Sequence, residues 1–222
     1  MALGEAQRTA KAAKTADGMT GRRDRRAERR EATKAEILEH AWQLALEEGL
    51  AGISLSELAK RVGMRAPSLY SYFDSKHAIY DAMFAQGFQQ LAEARVADDP
   101  VRTRADFIDS AKRFVEFCTT NTARYHLLFQ RTIPGFEPSP ESYATSVTVL
   151  ERTRAALSAV GATSPEALDV YTAIMTGLTD QQISNDPGGD RWSRLVDEVI
   201  GMFLDRYATA AAPAAQKKGG RQ

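Results

Sequence analysis

Residues Ser54–Lys76, SLSELAKRVGMRAPSLYSYFDSK, read as two short helices around a tight turn. Ser54 with Glu57 three residues on is a capping-box pattern, which places the first helix start near Leu55. Leu55, Leu58, Ala59 and Val62 share one helical face, while Glu57, Lys60 and Arg61 take the other. Gly63 stops this helix, because glycine enters the left-handed conformation at no steric cost. Pro67 is tolerated only in a first turn, which predicts a second helix over Ala66–Phe73. Helices joined by so short a turn cross at a large angle, as in a helix-turn-helix.

In the second helix Leu69 and Phe73 are spaced to pack inward. Arg65, Ala66, Ser68, Tyr70, Ser71 and Tyr72 leave an outer face of small, polar and phenolic groups. Small residues let a helix approach base edges, an arginine donates to guanine or phosphate, and tyrosine hydroxyls reach phosphate oxygens. Lys76 follows Asp74 and Ser75 at the next helix start, where a cation beside free N–H groups suits a phosphate.

The order and spacing of Ile37, Leu38, Ala41, Leu44, Ala45, Glu48, Gly49, Ser54, Leu58, Ala59, Val62, Gly63, Leu69, Tyr70, Tyr72, Phe73, Ser75 and Lys76 resemble the TetR/AcrR family of bacterial transcription regulators. The resemblance covers about fifty residues. It implies an all-α fold, with an N-terminal three-helix helix-turn-helix DNA-binding domain and a C-terminal helical domain for ligand binding and dimerisation. It further implies phosphate contacts from Ser54, Tyr70, Tyr72 and Lys76, with Lys34 as an additional one, and base contacts from Arg65, Ala66, Pro67 and Ser68. Arg65 departs from the serine or threonine frequent there in the family, and Pro67 is carried by only some members. The base preference of a typical relative therefore does not transfer.

The 222 residues carry no net charge, but the charge is unevenly placed. Residues 1–30 sum to +5, with RRDRRAERR at 22–30 too charged to bury, which predicts a disordered basic tail. Such a tail either lies along phosphates or a minor groove, or simply solubilises the chain. The domain boundaries expected are 31–80 for the DNA-binding domain, 81–211 for the C-terminal domain and 212–222 for a second unstructured basic tail. No run reaches the eighteen or more apolar residues of a membrane span, and Met1–Ala10 lacks a signal-peptide core. A cytoplasmic location is expected, and the single Cys118 reads as a packed thiol.

Beyond Lys76 the periodicity is helical throughout. Breakers divide it into helices at about 76–97, 101–120, a short one through Tyr125, Leu128 and Phe129, then 140–160, 164–184 and 190–211. Phe107, Ile108, Ala111, Phe114, Val115 and Cys118 fall on one broad face. Phe114, Phe117, Cys118, Tyr125, His126, Phe129, Tyr143, Tyr171 and Met175 supply aromatic and soft surface to line a cavity for a small, mostly apolar effector. Each of them also fits plain core packing.

Trp192, Leu195, Val196, Val199, Met202, Phe203 and Tyr207 form an apolar stripe, and Ala173 and Gly177 on the preceding helix permit close approach. The resemblance implies that these last helices build a four-helix homodimer interface. A two-fold dimer would present two reading helices to an inverted-repeat operator in double-stranded DNA. His40, His77 and His126 have no partner at a familiar metal spacing, and no nucleophile elbow, phosphate loop or dinucleotide fingerprint occurs. No catalytic residue, metal, cofactor or membrane partner is expected. The expected function is sequence-specific repression relieved by a small apolar or aromatic ligand. The alternatives are an activator of the same family and a non-specific architectural DNA binder.

Overall fold

The computed structural model describes the backbone of residues 2–95 and 101–208, and the side chains of 25–94 and 101–208. Its elements are α1 (Ala2–Gly52), α2 (Leu55–Arg61), α3 (Ala66–Leu69), α4 (Lys76–Arg95), α5 (Arg104–Thr120), α6 (Thr122–Phe129), α7 (Pro140–Ala159), α8 (Pro165–Asn185) and α9 (Val196–Tyr207). The chain divides into two units, Met1–Ile79 and Tyr80–Gln222, and the boundary falls inside the continuous helix α4.

In the first unit, Ile37, Ala41, Leu44 and Ala45 of α1 and Leu58 and Ala59 of α2 are buried with Ile53, Leu69, Phe73 and Ile79. Burying this apolar surface is the main favourable term holding the end of α1 and the two short helices together. Gly49 has φ 75° and ends the regular part of α1, so Leu50 and Ile53 turn inward. Gly63 has φ 70°; its N–H donates to the Lys60 carbonyl and that of Met64 to the Ala59 carbonyl, a Schellman stop for α2.

Three expectations for this unit are corrected. The disordered tail predicted for 1–30 is helical from Ala2, since alanine, arginine and glutamate outweigh its glycines and no proline interrupts it. Ser54 caps α2 by backbone position only; its side chain makes no cap bond, and Glu57 pairs with Lys60 and Arg61 instead. The helix predicted over Ala66–Phe73 is α-helical only to Leu69, after which tighter bonds from Ser71 N–H to Ser68 and Tyr72 N–H to Leu69 carry the chain to Phe73.

In the second unit α5 packs against α6, α8 and α9, and α7 and α9 both pack against α8. Thr103 and Asp106 form a reciprocal capping box that starts α5, three residues later than expected. The hydrogen bonds Asp106 accepts hold its carboxyl below the usual carboxylate range. The predicted face of α5 is buried, with Ile108 at its edge, and Cys118 is a buried free thiol. The helix expected over 190–211 begins only at Val196, after a 3₁₀ turn at Ser193–Leu195. Buried Gln182 imposes that delay: its Oε1 accepts from the N–H groups of Trp192 and Ser193, and its Nε2 donates to the carbonyls of Asp186 and Gly189. The expected ends near Ala97 and Ala211, and the tail 212–222, lie outside the described residues.

Candidate nucleic-acid interface and effector cavity

Each unit carries one candidate site. In the first, buried Leu69 and Phe73 anchor the α3 segment while Arg65, Pro67, Ser68 and Tyr70 are exposed, Tyr70 at 52 %. Ala66 and Tyr72 are half-buried and Ser54 is exposed at the start of α2. This is a convex, polar surface on a firm apolar base, with an arginine, two hydroxyls and a phenol available to a groove.

Two of the expected phosphate ligands have intramolecular work. The Lys76 ammonium donates to the Ala51 carbonyl at 2.7 Å, closing the frayed end of α1. Lys34 lies 3.2 Å from the Glu31 carboxylate one turn away. An ammonium has three donors, so neither contact prevents a phosphate bond; it fixes where the cation stands. Arg61 is held to Glu47 at 2.6 Å, joining α2 to α1, and this bond keeps the Glu47 carboxyl below its ordinary pKa.

The residue that sequence reading missed is Arg30. Its guanidinium lies 5.0 Å from the Tyr72 ring centroid and donates to the Ser71 carbonyl. It braces the end of the reading segment from a stretch that looked like tail. Composition hid it, since nothing distinguishes Arg30 from Arg25, Arg26 and Arg29 beside it.

The second site is a cavity of about 540 Å³ wholly within the second unit. Phe84, Phe88 and Leu91 of α4, Phe114 of α5, Leu128 and Phe129 of α6, Tyr143, Val149 and Leu150 of α7, and Tyr171 and Met175 of α8 line it. A tilted pair, Phe84 with Phe88 at 4.9 Å between ring centroids, and two edge-on pairs, Phe88 with Phe129 at 5.6 Å and Phe129 with Phe114 at 5.4 Å, make an aromatic wall. Phe136 and Pro138 contribute from the loop before α7, and Tyr143 stands 56 % exposed on that helix.

Of the residues proposed to line a cavity, Phe114, Phe129, Tyr143, Tyr171 and Met175 lie around this one, whereas Phe117, Cys118, Tyr125 and His126 do not line it. Arg124 covers Phe117, its guanidinium 3.6 Å from the ring centroid while donating to the Phe117 carbonyl and to Gln90. Desolvation lowers the pKa of that arginine. Cys118 is buried in the core. The Tyr125 hydroxyl donates to the Thr176 carbonyl, and burial pushes its pKa up to about 12. His126 is half-buried beside the Tyr125 ring. Helical periodicity placed these residues on inward faces without telling the cavity side from the core side.

Of the expected dimer residues, Val196 and Phe203 are buried within the unit and leave no surface for a second copy. Trp192, Leu195 and Val199 are half-buried, while Ala173 and Gly177 are exposed. Met202, at 58 %, is the most exposed large apolar side chain of α9.

Among the described residues no helix is long and apolar enough to cross a membrane, and no group of His, Cys, Asp and Glu is arranged to hold a metal.

Residues 37–83 match the family model for bacterial regulatory proteins of the tetR family. An HTH-type transcriptional regulator of Mycobacterium tuberculosis is 30% identical over 129 residues, which cover 56% of this chain and 55% of that protein. The chain thus spans about half the length of the curated relatives it matches. Two solved structures share the fold at low identity. A tetR-family transcriptional regulator from Streptomyces coelicolor superposes with TM-score 0.63 at 18% identity, covering 78% of this chain and 79% of that one. The TetR-family regulator PfmR from Thermus thermophilus gives 0.56 at 20%, covering 79% of this chain and 99% of that one.

Proposed function

We propose that this chain, which belongs to the tetR family of bacterial regulatory proteins, represses transcription by binding an inverted-repeat operator as a homodimer and is released by a small apolar effector. The observation that carries the DNA-binding part is the α3 segment: Arg65, Pro67, Ser68 and Tyr70 exposed on the buried anchors Leu69 and Phe73, within the residues matched by the family model. Arg65, Ala66, Pro67 and Ser68 meet base edges. Ser54, Tyr70, Tyr72, Lys76 and Lys34 meet phosphates and set the register.

The C-terminal cavity holds the effector. Helix α4 carries cavity residues Phe84, Phe88 and Leu91 and begins at Lys76, so one continuous helix spans the chain between the two sites. An effector bound more tightly by a state with the readers misplaced shifts the population toward that state and lowers operator affinity. Exposed Ala173, Gly177 and Met202 provide the surface for a second copy.

The test is selection of bound duplexes from a random pool by the purified protein, followed by titration at several salt concentrations. An enriched inverted repeat, preferred over random DNA by about 10³ or more, is the expected result. Binding without sequence preference, lost steeply with salt, would make the protein an architectural binder instead.

A further inference from the structure

Ile37, Ala41 and Leu44 bury the inner seam of α1, yet residues 25–32 of the same helix are exposed. Followed back from Ile37 at helical spacing, that seam becomes Arg30 and then Arg26. Arg29 lies on one flank of it and Lys34 on the other, while Glu28 falls nearly opposite Arg30. The face that is apolar inside the unit is therefore basic where the helix leaves it.

A helix that is merely solvated sets opposite charges four residues apart, where they attract. Here Arg25 and Arg29, Arg26 and Arg30, and Arg30 and Lys34 stand four apart with like charge, so the ridge repels itself until an anion lies along it. Glu31 answers Lys34 at 3.2 Å, at the end of the ridge nearest the core. Arg26 and Arg29 stand further out.

Arg30 fixes where this ridge stands. Its guanidinium donates to the Ser71 carbonyl and lies over the Tyr72 ring, next to exposed Tyr70, so the ridge starts at the edge of the reading segment. A rise of about 1.5 Å per residue sets Arg26 and Arg29 about 4.5 Å apart along the axis, against about 3.4 Å per nucleotide of one DNA strand. The two guanidinium groups can thus take different phosphates, each through paired N–H donors.

We propose that the helical extension of α1 is a second DNA contact, in which Arg26 and Arg29 bind backbone phosphates flanking the site read by the α3 segment while Arg30 holds the extension in place. Such a contact adds affinity and salt dependence but no sequence preference. It rests on the α3 segment docking on duplex DNA as proposed above.

The full chain is titrated by fluorescence anisotropy with a labelled mixed-sequence duplex of about 40 base pairs, at salt from about 50 to 200 mM. In Arg26→Gln/Arg29→Gln the slope of log affinity against log salt is expected to fall in magnitude by about 1.8, for two phosphates released. Arg26→Lys/Arg29→Lys keeps both charges and is expected to keep the parent slope. Arg152→Gln/Arg154→Gln removes two exposed charges from α7 and is expected to leave the slope unchanged. Glutamine, lysine and arginine have similar helix propensities and all four positions are exposed, so the fold is retained, which a thermal melt of each variant checks. A parent slope in Arg26→Gln/Arg29→Gln, or an equal fall in the α7 control, overturns the second contact and leaves α3 docking standing. A parent chain that binds no duplex at about 50 mM salt overturns the docking itself, and the second contact with it.

Discussion

Asp81 accepts both hydrogen bonds that Ser139 can offer: the Ser139 N–H reaches Oδ1 at 2.6 Å and the Ser139 hydroxyl reaches Oδ2 at 2.9 Å. The Ser142 hydroxyl adds a third bond to Oδ2 at 2.8 Å. One carboxylate on α4 therefore holds the start of α7, directly after the loop whose Phe136 packs edge-on against Tyr80 and, with Pro138, lines the cavity. Charge-assisted bonds of this kind are stronger than neutral ones, and removing the acceptor strands partly buried donors. Asp81→Ala is expected to cost about 2 kcal/mol. The matching fall in the thermal midpoint of the C-terminal unit is about 4–8 °C, and Asp81→Asn, which keeps one acceptor, recovers about half of it. An unchanged midpoint in Asp81→Ala would show that the clasp contributes nothing.

Gln182 is the second such hub. Truncation to alanine leaves the N–H groups of Trp192 and Ser193 and the carbonyls of Asp186 and Gly189 without their partner, in a turn that begins at a buried helix face. Gln182→Ala is expected to destabilise the chain by about 2–4 kcal/mol and to raise amide exchange across 186–196 ahead of the rest of the unit. Uniform exchange in the variant would mean that the turn is held by something else.

Gly87 sits where α4 meets α6. A Cβ there would lie 2.9 Å from one Leu128 methyl and 3.1 Å from the other, and Leu128 lines the cavity. Gly87→Ala therefore pushes Leu128, at about 1–3 kcal/mol of overpacking. The expected readout is a loss of binding of an apolar fluorescent dye to the cavity larger than the loss of stability explains. Dye affinity equal to that of the parent chain would show that the side chain yields in another direction.

The fold was largely legible because its signals are local and redundant. Gly63, Pro67 and Ser164 mark helix ends through backbone chemistry that one short window contains, whereas the Thr103 capping box went unread and the start of α5 was set three residues early. The errors were of another kind. Ser54 had the right type and place for a side-chain cap, yet Glu57 was drawn to Lys60 and Arg61. Val196 and Phe203 lay on an apolar stripe that any partner could cover, and α5 and α8 of the same unit cover it. Arg30, Asp81 and Gln182 act on groups reached through the fold or across a loop, and no periodicity encodes such pairings. Phe117 and Tyr125 were separable from Phe114 and Phe129 only once Arg124 and Thr176 had their positions.

Arg30 separates two ways in which a basic residue strengthens DNA binding. If it braces the reading segment through Ser71 and Tyr72, Arg30→Ala lowers operator affinity about tenfold while the slope of log affinity against log salt stays within experimental scatter of the parent. If it neutralised a phosphate, the slope would fall in magnitude by about 0.9. The contacts favour the first outcome. Lys76→Ala is the contrast: loss of a phosphate-bound ammonium lowers the slope, whereas loss of its bond to Ala51 alone would not. Tyr70→Ala, which removes an exposed neutral hydroxyl, is expected to weaken all sequences alike and leave the slope unchanged.

Met202 provides the test of assembly. Helix α9 buries Val196, Ile200, Phe203 and Leu204 in its own unit, so a second copy has to use the opposite face, where Met202 is 58 % exposed and Gly201 leaves open space. On α8, Ala173 and Gly177 are exposed, and a Cβ on Gly177 would meet nothing within 4 Å, which leaves room for a partner helix to approach. Isologous packing would place each changed residue in the interface twice. Met202→Glu is expected to weaken dimerisation by at least tenfold, and Gly177→Arg, bulkier at the close approach, to abolish it. Both substitutions lie on exposed positions and should leave the stability of the monomer within about 0.5 kcal/mol of the parent. Light scattering across a dilution series reads the mass directly: a dimeric parent with monomeric variants places the interface on this face, and dimers in both variants would move it to another.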